Sequence, residues 1–140
     1  MQSFNPKIGV AQIGTKHGHA TSVLSTILNN PKVDFYGIFE PDINKRNELK
    51  KNKSFPWDRV NFIENEDEIY NPEIKVVASE GANIESLAQT KKILENGKNV
   101  FYDKPAGDNY KEFLHCIDIA KKNNLHIQMG YMFRNHRGFQ

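Results

Sequence analysis

Short apolar runs of strand length alternate along this chain with segments whose apolar residues recur every three or four positions, and this alternation restricts the fold more than any other feature. Runs with period two or no period are the mark of strands, and period 3.6 is that of helices. Strict alternation of the two predicts a parallel sheet with crossover helices. The first strand reads Lys7 to Ile13, and Gly14 to Gly18 turns the chain into a helix with Ala20, Val23, Leu24, Ile27 and Leu28 on one face. Asn29, Asn30 and Pro31 stop that helix before a second strand, Val33 to Phe39. A polar helix from Asn44 to Lys51, a loop from Ser54 to Asp58, a short strand from Val60 to Ile63 and an acidic helical turn from Glu66 to Tyr70 follow.

The second half repeats the pattern. Lys75 to Ser79 reads as a strand, and the next helix carries Ile84, Leu87 and Leu94 inward until Gly97 supplies a left-handed stop. Asn99 to Tyr102 is a fifth strand. Asn109 to Lys122 is a helix with Phe113, Cys116, Ile117 and Ala120 inward, and Leu125 to Tyr131 is a sixth strand. This α/β pattern predicts a doubly wound parallel sheet of Rossmann type in the order 3-2-1-4-5-6, with ligands at the carboxyl ends where the order reverses. The 140 residues fit one such domain, 1–140, and leave no room for a second large one.

Charge and composition exclude several classes. A formal charge of +2 with 38% hydrophobic and 26% charged residues describes a folded soluble domain. The lysines that cluster, Lys45 to Lys53, Lys91 with Lys92 and Lys121 with Lys122, fall on helices with apolar faces elsewhere, and so read as solvated faces and not a nucleic-acid patch. No stretch approaches the roughly 20 apolar residues that span a bilayer, and Met1 to Lys7 does not read as a leader. A cytoplasmic location is the expectation. The one cysteine, Cys116, sits between Phe113 and Ile117 at helical spacing and reads as a buried thiol.

The turn after the first strand, Gly14-Thr15-Lys16-His17-Gly18-His19-Ala20, meets part of what a dinucleotide turn requires. Such a turn needs glycine for the bend, a bare position where backbone meets pyrophosphate and a small residue where helix meets strand. Counting from Gly14, the second position is Lys16 and the third His19, so an ordinary strand-to-helix turn stays open as the alternative. Amides at the helix start can hold a phosphate in either case. Glu40 ends the second strand roughly 26 residues past Gly14, near the usual separation of about 20 for a ribose-binding acid. A carboxylate there accepts ribose hydroxyls and repels a 2′-phosphate, which favours NAD, with NADP as the alternative given Lys45 and Arg46 close by. The plainer reading of Glu40 is a helix-start acid. His17 and His19 lack a neighbouring Cys, Asp or third His, so no metal is expected.

The most specific stretch is Gly97-Lys98-Asn99-Val100-Phe101-Tyr102-Asp103-Lys104-Pro105, joined by Gly81-Ala82-Asn83-Ile84-Glu85-Ser86 and Gly130-Tyr131-Met132-Phe133-Arg134. In these the chain resembles the family of glucose-fructose oxidoreductase, inositol dehydrogenase and MocA. That family's fifth strand ends in Glu-Lys-Pro after a Gly-Lys-His-Val entry, and Asp103 and Asn99 stand here for the glutamate and histidine. Its Thr-Pro-Asn-x-x-His loop near the nicotinamide ribose keeps only Asn83.

The resemblance implies an NAD(P)-dependent oxidoreductase that moves hydride between a nicotinamide and a sugar, polyol or related hydroxyl compound. It places Gly14, Thr15, Lys16, His17, Gly18, His19, Glu40, Asn83, Asp103 and Lys104 at the cofactor, and Lys104 at the reacting oxygen, where an ammonium stabilises alkoxide character. It also implies a larger second α/β domain, beginning where this sequence ends, that carries the substrate pocket, a catalytic histidine and homo-oligomer contacts. A chain without it is expected to bind dinucleotide and turn over poorly. A non-catalytic nucleotide-binding or regulatory module is the competing expectation. The tail from Tyr131 to Gln140, with Tyr131, Met132, Phe133 and Phe139, is expected to self-associate.

Overall fold

The protein is described here from a computed structural model covering residues 6–131 and 133–139. Met1 to Asn5, Met132 and Gln140 lie outside the described residues. In chain order the elements are β1 (Ile8–Ile13), α1 (Ala20–Leu28), β2 (Val33–Phe39), α2 (Ile43–Lys51), β3 (Phe62–Ile63), β4 (Ile74–Ser79), α3 (Asn83–Glu95), β5 (Asn99–Tyr102), α4 (Tyr110–Lys122) and β6 (Ile127–Met129). Single turns of 3₁₀ helix cover Trp57–Arg59, Glu66–Tyr70 and Arg137–Phe139.

One six-stranded sheet runs β3-β2-β1-β4-β5-β6, every neighbouring pair parallel. The order reverses between β1 and β4, so the chain leaves their carboxyl ends toward opposite faces and a crevice forms above the paired strand ends. Successive strand residues face opposite sides, and the sheet therefore feeds two cores. One gathers Ala11, Ile13, Val77, Val100 and Tyr102 beneath α3 and α4. The other joins Leu24 of α1, Ile38, Leu49 of α2, Trp57 and Phe62.

The helix ends follow from local chemistry. Asp42 accepts bonds from the amides of Asn44 and Lys45 and starts α2, and Asn109 does the same for α4 through the amide of Glu112. Gly97, at φ +73°, stops α3. His19 occupies the N-cap of α1 without capping it, because its ring is engaged elsewhere.

Three expectations need correction. The third strand is only Phe62–Ile63, since those are the two residues that pair with β2. The sixth is Ile127–Met129, because the Leu125 amide bonds back to Ala120 and closes α4. Ile84 is 80% exposed. The buried stripe of α3 runs Ser86, Leu87, Thr90, Ile93 and Leu94, which places Ile84 roughly 120° round the helix. Two polar residues in that stripe disguised its direction. The loop at Ser54 also carries structure, since Trp57 is buried in the second core.

Candidate functional site

At the carboxyl ends of β1, β2, β4 and β5 the expected residues converge on the crevice. Gly14 leaves β1 at φ +78°, and a Cβ there would stand 2.6 Å from the backbone of Gly81, so glycine is required where the β1 and β4 ends cross. At Gly18 the same Cβ would meet nothing within 4 Å. The amides of Thr15, Lys16 and Gly18 have no acceptor among the described residues. Bare backbone, unpaired amides and the start of α1 together form a cradle that fits a phosphate.

Glu40 stands at the end of β2 as expected but faces inward, 1% exposed. Its Oε2 accepts the Thr15 hydroxyl at 2.5 Å and its Oε1 the Asp42 amide at 3.0 Å. Those two bonds tie the glycine turn to the β2 end. Lys16, at the second glycine position, spans the crevice above them, 3.2 Å from Asp42 and 3.5 Å from Glu85 in the first turn of α3. The Asp42 carboxylate, and after it Glu85, hold the Lys16 ammonium above its ordinary pKa. The Lys45 amide and then Lys16 hold Asp42 below its own. Lys45 and Arg46 pair outward with Glu48 and Glu64. Asn83 is exposed at the first residue of α3.

The other wall is built on β5. Asp103 is 4% exposed, its Oδ1 accepts the Lys104 amide at 2.9 Å, and its Oδ2 lies 2.7 Å from His19 Nδ1. His17 sits between the two walls. Its amide donates to the Glu80 carbonyl, and its Nε2 lies 3.2 Å from the Lys104 carbonyl. Because a carbonyl only accepts, Nε2 carries the proton and Nδ1 presents a lone pair, which takes the His19 amide at 3.1 Å. The side chain of Lys104 is exposed and makes no ion pair among the described residues. Its ammonium is therefore available to a ligand in the crevice.

The sequence reading missed Glu80, the residue that follows β4. It is fully buried, neither carboxylate oxygen has a hydrogen-bond partner, and Oε2 is 3.7 Å from His17 Nδ1. Burial first, then the negative charge of Asp103, pushes its carboxyl up to about 8. An acid one residue past the run Val76-Val77-Ala78-Ser79, where the fourth strand ends, was the available signal. The expectation of no metal rested on the lack of a third donor beside His17 and His19, and the fold brings one, Asp103, to them.

His19 and Asp103 also border an open cleft of about 720 Å³ between α1 and the tail, floored by Val10, Val76, Ala78 and Phe101. The tail packs on itself, with the Phe133 and Phe139 rings 5.0 Å apart, while Tyr131, Phe133 and Phe139 stay more than half exposed. No described helix is long and apolar enough to cross a membrane.

Comparison with solved structures returns the same architecture. An NAD-binding protein from Listeria innocua superposes with a TM-score of 0.74 at 18% identity, over 89% of this chain and 35% of that one. GenD2 of gentamicin A biosynthesis, solved with NAD, gives 0.75 at 15%, over 89% and 34%. Biliverdin reductase from Synechocystis, solved with biliverdin and NADP+, gives 0.72 at 15%, over 87% and 37%. At such identities these likenesses show the fold, and the chain spans about a third of each neighbour's length. No curated protein matches it by sequence. The model of the GFO/IDH/MocA oxidoreductase family, NAD-binding Rossmann fold, matches residues 8–131, so nearly the whole chain is accounted for. The glycine turn, the six-stranded order and the Asp103-Lys104-Pro105 strand end thus meet in one assignment: the chain belongs to the glucose-fructose oxidoreductase, inositol dehydrogenase and MocA family of oxidoreductases, in its NAD-binding Rossmann fold.

Proposed function

We propose that this chain is the cofactor-holding part of an NAD-dependent dehydrogenase acting on a sugar, polyol or related hydroxyl compound, in a cytoplasmic homo-oligomer whose substrate pocket a second domain completes. The observation that carries the reading is the exposed, unpaired Lys104 at the β5 end, across the crevice from the phosphate cradle at Gly14 to Gly18. The cofactor, when bound, supplies the hydride acceptor or donor. Thr15, Lys16 and Gly18 offer amides to the pyrophosphate, and Lys16 can turn its ammonium from Asp42 and Glu85 to the same anion. Lys104 stabilises negative charge on the substrate oxygen as hydride moves. His17 orients the Lys104 backbone through its carbonyl. Support for NAD over NADP comes from the acids Glu40 and Asp42 at the β2 end, and from Lys45 and Arg46 being spent on Glu48 and Glu64.

A second reading, a nucleotide-binding or regulatory module without catalysis, draws on the inward-facing Glu40 and on Lys16 and His19 at the positions where dinucleotide turns carry glycine. Calorimetric titration of NAD and NADP into the wild type and Gly18→Ala separates the cases. NAD binds more tightly than NADP, and Gly18→Ala, whose new Cβ meets no protein atom, weakens NAD about tenfold or more with an unchanged melting temperature. Equal affinity for both nucleotides, or a Gly18→Ala variant that binds as well as wild type, sinks the proposal. In a chain carrying the second domain, Lys104→Ala lowers kcat far more than it weakens NAD. Normal turnover in that variant removes Lys104 from the reaction, whereas a wild-type chain that binds NAD and turns over no hydroxyl compound leaves the module reading standing.

A further inference from the structure

We propose that His17, His19, Asp103 and Glu80 form a binding site for one divalent transition cation of the zinc type, set where the β1–α1 turn meets the end of β5.

The fold delivers donors that are far apart in sequence. His17 and His19 flank Gly18 on a turn and not along a helix, which brings their rings to 5.1 Å between centroids at 72°. Asp103 arrives from β5, 84 residues beyond His19. One donor atom from each of these three residues lies within 4.8 Å of the others. His19 Nδ1 to Asp103 Oδ2 is 2.7 Å, His17 Nδ1 to Asp103 Oδ2 is 3.7 Å, and His17 Nδ1 to Glu80 Oε2 is 3.7 Å. Metal bonds of about 2.0 to 2.2 Å in a tetrahedron separate neighbouring donors by about 3.4 Å. The three separations fall on either side of that edge: the His19–Asp103 hydrogen bond lengthens as a cation enters it, and Glu80, which borders His17 alone and lies outside the group of donors within 4.8 Å, moves in to complete the set.

The donor atoms are also prepared. The Lys104 carbonyl fixes the His17 proton on Nε2 and leaves the Nδ1 lone pair, which accepts the His19 amide, 3.7 Å from both Asp103 Oδ2 and Glu80 Oε2, so that a cation there takes it in exchange for that amide. Zinc-binding imidazoles are commonly oriented in this way by an acceptor on the far nitrogen. Asp103 is held likewise, its Oδ1 by the Lys104 amide, which leaves Oδ2 for a cation.

The independent observation is Glu80. It is fully buried, with both oxygens unpartnered, beside the second buried acid Asp103. Buried carboxylates are ordinarily paired or bound to metal, and among the described residues no lysine or arginine pairs with either acid. Two carboxylates and two imidazoles balance a divalent ion, and imidazole with carboxylate suits zinc and its neighbours better than magnesium or calcium.

The test uses the 140-residue chain, freed of metal with a chelator and titrated with zinc chloride by calorimetry and with cobalt chloride by visible absorption. No nucleotide is present, so the result is separate from that for the dinucleotide. The expectation is one ion per chain, the intense visible bands of tetrahedral cobalt, and a zinc-induced rise in melting temperature. His19→Ala, at a half-exposed side chain, weakens zinc about 100-fold or more and abolishes the rise, and Glu80→Gln weakens it about tenfold or more. His126→Ala, an exposed histidine outside the cluster, changes nothing. Absence of saturable one-to-one binding, or affinity within twofold of wild type in folded His19→Ala, overturns the site. If Glu80→Gln does not fold, His19→Ala and the cobalt spectrum decide alone.

Discussion

The two faces of the sheet are finished to different degrees. Beneath α3 and α4, Ala11, Ile13, Val77, Val100 and Tyr102 are at most 3% exposed. On the opposite side α1 and α2 cover the β1 to β3 half, while the β4 to β6 half opens into the cleft floored by Val76 and Phe101. Parallel sheets are ordinarily covered on both faces. The difference separates a closed half that supplies stability from a half left open, with the candidate site at the border between them.

The largest effect that can break this comparison sits in two adjacent residues. Val77→Ala removes methyl groups from a fully closed core and costs about 2.5 kcal/mol. Val76→Ala opens toward the cleft and costs about 1 kcal/mol or less. Urea unfolding measures both, and equal losses would show that the cleft face is as well packed as its opposite. Next in size is self-association through the exposed tail: Phe133→Ser with Phe139→Ser raises the dimer dissociation constant about tenfold, or 1.4 kcal/mol. Sedimentation over a range of concentrations reads this, and a wild-type chain monomeric throughout removes the tail as the sticky edge of the open half.

The smallest effect sharpens the account of the closed half. Lys98 is buried at its edge and donates to the Asn71 carbonyl. Burial, and then Lys75, lowers its pKa from the ordinary 10.5. Between the lowered folded value and the unfolded value, the unfolded chain binds more protons, so stability rises with pH across that alkaline window. Lys98→Met flattens the rise. A melting profile above pH 9 that is the same in both proteins would place the Lys98 ammonium in solvent.

Much of the architecture was readable from residue order, because a parallel sheet needs strand and helix periodicities in strict turn and the chain keeps them. The ends of β2 and β5 fell where Phe39 and Tyr102 stop the apolar runs, which put Glu40 and Asp103 at the crevice in advance. What stayed hidden was the use of individual atoms. Nothing in the order of residues says that the Thr15 hydroxyl and the Asp42 amide would occupy the two oxygens of Glu40. The gap of 84 residues between His19 and Asp103 likewise conceals a 2.7 Å contact until the register of β5 against β4 is known. Ser86 and Thr90 misdirected the reading of α3 for a simpler reason: periodicity counts apolar residues, and this close-packed stripe holds two small polar ones, Ser86 bonded to the Asn83 carbonyl and Thr90 buried with its hydroxyl unpartnered among the described residues.

Lys16 leaves the mouth of the crevice occupied by a cation already neutralised on both flanks. Any polyanion that settles on the turn exchanges counter-ions with the protein, taking the ammonium and setting free one carboxylate on the β2 side and one on the β4 side. Salt weakens the pairs that break as well as the pair that forms. Affinity at this turn is consequently buffered against ionic strength, in contrast to a turn whose lysine meets its anion unpaired.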